Sequence, residues 1–143
     1  MIDCRSQQVR LMEKGVITTD TKQAFPARLA KIYTSFCQIL QEFTPDTVAI
    51  EKAIYAKNAQ IALKLGHARG MFLLAAALKE IDIQEYTPKE IKSAVTGNGN
   101  ASKEQVQRMV QAILGLGKLP TPNDVADAIA VGLCHQNRNK FLL

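Results

Sequence analysis

The sequence predicts an α/β fold in which short apolar strands alternate with longer amphipathic helices around one core. Three observations carry this. Thr47-Val48-Ala49-Ile50-Glu51 is a short, nearly continuous apolar run, the pattern of a strand covered on both faces. After Pro26, apolar residues recur at Leu29, Ile32, Phe36, Ile39 or Leu40, and Phe43, the spacing of one helix face. A length of 143 residues suits a single domain spanning 1–143.

The remaining elements follow in chain order. Met1-Ile2 reads as the tail of a strand, and Val9 to Ile17, with its alternating start, as another. Thr18 to Phe25 is a polar loop before the Pro26 helix, and Pro45-Asp46 is a turn. A long helix is expected over 58–79, with Ala59, Ala62, Gly66 and Gly70 recurring at helical spacing. Such small residues let a second element approach closely, either the sheet of the same chain or another subunit. Gln84 to Thr87 is a strand leading through Pro88 into a helix over 89–96, and residues 97–101 form a glycine-containing turn. Ser102 with Gln105 is a capping-box pattern, opening a helix with Val106, Met109, Val110, Ile113 and Leu114 on one side. Residues 115–123 are a Gly/Pro loop, and the last helix presents Val125, Ala128, Ile129, Gly132 and Leu133 to the core.

Composition narrows the class. With 18 basic and 13 acidic residues the net charge is +5, which favours a polyanionic partner. Cys4, Cys37 and Cys134 are odd in number and far apart, matching reduced thiols and no disulfide framework. The N-terminal residues lack a signal-peptide pattern, and the most apolar stretch, Met71 to Leu78, is too short for a membrane span. A cytoplasmic location without membrane partners is the expectation.

Three carboxylates stand where apolar or neutral residues would be unremarkable. Glu51 closes the apolar strand, while Asp124 and Asp127 are three apart at the start of the last helix, where side chains can share a face. Hard cations such as Mg²⁺ or Mn²⁺ take oxygen ligands, and clustered carboxylates need a cation to relieve their repulsion. The competing reading is a helix start: an aspartate at a helix N-terminus is favoured by the dipole, which accounts for Asp124, partly for Asp127, and not for Glu51. Lys92 and Lys103 flank the turn holding Gly97 and Gly99, a place where the backbone can approach a phosphate closely. His67 and His135 have no partner at metal-ligand spacing, and no phosphate-loop, dinucleotide-binding or zinc-finger motif is present.

Taken together, Ala49-Ile50-Glu51-Lys52, Ala56-Lys57-Asn58, Ala62 to Gly70, Glu85-Tyr86-Thr87-Pro88, Lys92, Val95-Thr96-Gly97, Lys103 to Gln107 and Asp124-Val125-Ala126-Asp127-Ala128 resemble the bacterial Holliday-junction resolvases of the RuvC family. The resemblance implies a ribonuclease-H-like mixed sheet flanked by helices and a metal-dependent crossover junction endodeoxyribonuclease. Such an enzyme cuts four-way DNA junctions by paired phosphodiester hydrolysis in recombination and repair. It also implies two Mg²⁺ ions, with Mn²⁺ as a substitute, a homodimer formed through helix 58–79, and a junction branch-migration motor as partner. By resemblance, Glu51, Asp124 and Asp127 are catalytic metal ligands, and Lys92 and Lys103 are basic residues that bind junction phosphates and support cleavage. Ile54, Tyr55 and Lys57 are expected at the DNA, with Ile54 standing where the family places an aromatic side chain. The family's glycine-rich first strand, with its catalytic aspartate, has no counterpart in these 143 residues. The expectation is therefore an N-terminally truncated chain, poorly folded and inactive by itself; the rival is a non-catalytic junction-binding homologue lacking the first catalytic carboxylate.

Overall fold

A computed structural model of the chain describes residues 1–4, 9–52 and 58–139. The α/β class holds: β1 (Ile2–Asp3), β2 (Arg10–Leu11), α1 (Phe25–Phe43), β3 (Thr47–Glu51), α2 (Ala59–Ala77), β4 (Asp82–Tyr86), α3 (Pro88–Thr96), α4 (Lys103–Leu114) and α5 (Asn123–Asn139) follow one another. The described strands pair as β1 with β2 and β3 with β4. The chain divides into two compact units. One comprises Met1–Val16, Ala49–Lys52 and Glu85–Leu143; the other comprises Ile17–Val48 and Ala53–Gln84.

The first unit holds the larger core. Tyr86, Ile91, Val95, Val106, Val110, Val125, Ile129 and Leu133 are buried together, with Ile2, Val9 and Leu11 packed against them. Helices α3 and α4 begin at sequence-encoded caps. The Ser102 hydroxyl accepts the Gln105 N–H at 3.2 Å while the Gln105 side chain accepts the Ser102 N–H at 2.8 Å, the expected capping box. A second box opens α3, where the Thr87 hydroxyl accepts the Glu90 N–H and the Glu90 carboxylate accepts the Thr87 N–H at 2.7 Å. Thr87 thus serves as a helix cap and not as the strand residue expected, and β4 runs from Asp82 to Tyr86.

Other expectations are corrected. The strand over Val9 to Ile17 shortens to Arg10–Leu11, paired with β1 in antiparallel register Ile2 with Leu11 and Asp3 with Arg10, and just beyond it the Met12 N–H donates to the Met1 carbonyl at 3.0 Å. On α4, Val106 and Val110 are buried and Leu114 half-buried, whereas Met109 and Ile113 are exposed. The i, i+4 stripe alone meets α5, and residues one position back lie beside it. On α5, Ala126 and Ala130 take the inward positions and Ala128 is exposed.

In the second unit α1 packs along α2, with Phe36 and Phe72 edge to face at 4.9 Å between ring centres. The Asn58 side chain caps α2 by accepting the Gln60 N–H at 2.8 Å. The helix itself spans Ala59–Ala77, inside the expected 58–79.

β1 crosses α5 closely. A Cβ on Gly132 would lie 2.6 Å from Ile2 Cδ1 and 3.3 Å from Cγ1, so any larger residue there must displace the end of the Ile2 side chain. Gly132→Val is expected to destabilise the fold by about 1–3 kcal/mol through overpacking. Pairing it with Ile2→Ala should recover much of that loss, and urea unfolding midpoints of the two single variants and the double variant measure the coupling. Additive losses would show that the two side chains do not share this space.

Candidate active site

The expected site residues come from four elements of the first unit. Glu51 is the last residue of β3, where the strand's half-buried stretch ends and its side chain emerges. Asp124 and Asp127 lie in the first turns of α5, Lys92 in α3, and Lys103 at the first position of α4.

The structure brings Asp127, Lys92 and Lys103 within electrostatic reach of Glu51. Glu51 holds its proton above the ordinary carboxylate range, first because it is partly desolvated and second because the Asp127 charge stands near it. The Lys103 and Lys92 ammonium groups act in the opposite direction and favour the ionised form. Lys103 Nζ lies 3.9 Å from Asp127 Oδ2, a loose and largely exposed ion pair. Asp124 is exposed one turn earlier, at the positive end of the helix dipole, and is not among the charges that raise Glu51. Among the described residues no three His, Cys, Asp or Glu side chains gather closely enough to hold one ion. Ile54, Tyr55 and Lys57 lie outside the described residues.

A cation fits this donor set. Both carboxylates supply hard oxygen, and Mg²⁺ commonly uses only one or two protein carboxylates, completing its shell with water and substrate phosphate. Cation binding would also offset the desolvation and repulsion that raise the Glu51 pKa.

A pH dependence follows. Because Glu51 has a folded pKa above its unfolded one, the unfolded chain releases that proton first as pH rises. Its contribution to metal-free stability is therefore lost across the window from the ordinary value of 4.5 up to the raised value. Asp127→Asn removes one cause of the shift, so its metal-free melting temperature should fall less than the parent's across that window. Parallel curves for the two proteins would show that Asp127 does not act on Glu51.

Four residues of this region carry geometry that sequence reasoning missed. The Tyr86 hydroxyl and His135 Nδ1 share a hydrogen bond of 2.8 Å. Arg138 lies over the Tyr86 ring at 5.6 Å and donates to Glu90 Oε1 at 2.7 Å. The Thr87-x-x-Glu90 capping pattern was a local signal for one of them. Tyr86 and His135 are 49 positions apart, and no local pattern joins them.

Comparison with known proteins settles the family. A family profile described as crossover junction endodeoxyribonuclease RuvC matches residues 1–135. The chain belongs to the RuvC family. A RuvC of Natranaerobius thermophilus is 44% identical over 135 residues, covering 94% of this chain and 84% of that relative. Thermus thermophilus RuvC superposes with a TM-score of 0.87 at 31% identity, covering 99% of this chain and 86% of that one. The same protein in complex with a Holliday junction substrate superposes with a TM-score of 0.92 at 31% identity, covering 98% and 86%. RuvC membership makes the fold ribonuclease-H-like, as expected, and implies a divalent-metal-dependent nuclease. Among the described residues no helix is long and apolar enough to cross a membrane.

Proposed function

We propose that this chain is a crossover junction endodeoxyribonuclease that resolves four-way DNA junctions by paired hydrolysis, with Glu51, Asp124 and Asp127 as its metal-holding carboxylates. The observation that carries the reading is the meeting of the strand carboxylate Glu51 with the helix carboxylate Asp127, beside two lysines, in a chain of this family. When bound, a divalent ion such as Mg²⁺ would supply Lewis acidity and make a bound water more acidic than bulk water, and two ions are the number this chemistry uses in other nucleases.

The chain's own residues do the rest. Glu51 and Asp127 present oxygen from a strand end and a helix start, so the site's width is set by how β3 and α5 are held. Asp124, exposed at the helix N-terminus, would supply the third carboxylate oxygen. Lys92 and Lys103 favour the ionised form of Glu51 and supply positive charge to the phosphates on either side of the cut. A groove of about 490 Å³ lined by Thr96, Asn98, Ala101, Gln105, Arg108 and Met109 adjoins the Gly97 turn; its lining is mainly apolar and carries one cation, Arg108. Ile54, Tyr55 and Lys57 are assigned to the junction centre on the family resemblance alone.

The same reading includes a homodimer through α2. Support comes from Ile61, Leu63 and Leu65, each more than half exposed, and from Gly66 and Gly70, whose surroundings are open. It also includes a branch-migration motor as partner and a cytoplasmic setting.

The deciding experiment takes the protein as its natural gene encodes it, including any residues that precede Met1, and incubates it with a four-way junction labelled on each strand. Two symmetric nicks in Mg²⁺ or Mn²⁺, none in EDTA, and none on linear duplex of the same sequence are the expected results. Tight junction binding without nicks in either metal would overturn the endonuclease reading in favour of a junction-binding homologue.

A further inference from the structure

We propose that Tyr86 and His135 are positioning residues of this site, their hydrogen bond setting the separation between the carboxylate of β3 and that of α5. The proposal rests on the endonuclease reading for the identity of those carboxylates. Its geometry is independent of it. The Lys52 N–H donates to the Tyr86 carbonyl at 2.8 Å, so the main chain of Tyr86 anchors the residue next to Glu51. The side chain of the same tyrosine is hydrogen-bonded to His135, which lies eight positions, about 12 Å of helix rise, beyond Asp127. One residue therefore grips the strand bearing Glu51 with its backbone and the helix bearing Asp127 with its hydroxyl.

The surroundings hold that grip in one geometry. Tyr86 is buried, and a buried phenol left without its partner incurs a desolvation penalty. Arg138 covers the ring from α5 while its guanidinium is fixed by Glu90, itself tied into the cap of α3. The Asn137 side chain donates to the Ala94 carbonyl at 3.0 Å, joining α5 to α3 a second time. These ties resist both sliding and rotation of α5, so a displacement of the helix as a whole away from β3 strains the Tyr86–His135 bond. A purely structural pair would make the same contacts, but its loss would lower stability without touching metal affinity.

Tyr86→Phe separates the two cases, because it keeps ring, volume and the Arg138 contact and removes only the hydroxyl. Mn²⁺ affinity, read by electron paramagnetic resonance on the DNA-free protein, should weaken about tenfold, in the range of other residues that orient metal ligands. Junction turnover should fall by a similar factor with junction KM unchanged. His135→Asn, whose amide reaches the Nδ1 position, should retain most of the Mn²⁺ affinity, and His135→Leu should not. Parental Mn²⁺ affinity and turnover in Tyr86→Phe would overturn the proposal while leaving the endonuclease reading intact. If Tyr86→Phe does not fold, equal Mn²⁺ affinities of the two His135 variants would overturn it instead. A parent that neither binds Mn²⁺ nor cuts junctions would overturn the endonuclease reading, and the positioning role with it.

Discussion

Asp127→Asn is expected to reduce junction cleavage by more than about 100-fold while leaving junction binding equal to or tighter than the parent's. Even residues that only orient metal ligands contribute about 10- to 100-fold to metal affinity or activity, so loss of a ligand should exceed that range. The substitution preserves side-chain volume and helical propensity, and Asp127 is only half-buried, so the fold should persist. Binding is expected to hold or improve because a negative charge leaves a surface that meets phosphate. The Lys103 ammonium, 3.9 Å from the Asp127 carboxylate, is then no longer partly neutralised. Labelled-junction cleavage and gel-shift titration of the same protein preparation give the two readouts. Turnover within tenfold of the parent would remove Asp127 from the metal-holding set.

How much of this was legible in the sequence differs by element. The run Val48-Ala49-Ile50 followed by Glu51 could be read directly, since an apolar strand that ends in a carboxylate has few bland explanations. The Ser102–Gln105 cap was legible for the same reason: the motif states its own hydrogen bonds. Helix positions were readable to within a residue or two, whereas faces were less so. Met109 and Ile113 are apolar at near-helical spacing, yet α5 covers only the Val106–Val110 stripe, and which stripe is covered depends on the neighbouring helix. Strand length failed at Val9 to Ile17 because alternation in one segment does not say how far it will be paired, and the ladder with β1 covers Arg10–Leu11. The site divides similarly. Three apart on a helix suggests that Asp124 and Asp127 act together, but the fold sets Asp127 beside Glu51 and leaves Asp124 exposed. Tyr86 and His135 meet only through tertiary folding, and a lone histidine in the last helix gave no sign of it.

Replacing both Lys92 and Lys103 by Ala should lower the dependence of junction affinity on salt by about two units of log–log slope, close to one for each phosphate that a lysine no longer neutralises. The weakening should be alike for junctions of different sequence, because phosphate contacts position the DNA and do not read bases. Lys103→Arg keeps the charge and should retain the slope, which separates charge from helix-start effects at this first position of α4. A second consequence concerns pH. Lys103 and Lys92 both hold the Glu51 pKa down against desolvation and the Asp127 charge. Removing either cation therefore raises that pKa further, and a carboxylate that must be ionised to serve will do so only at higher pH. The acid limb of the cleavage profile should move to higher pH in Lys103→Ala and Lys92→Ala, and stay in place in Lys103→Arg. Single-turnover rates measured at saturating junction, across the acid limb, separate this shift from weakened binding. An unchanged salt slope together with an unshifted acid limb would assign both lysines to ordinary solvated surface.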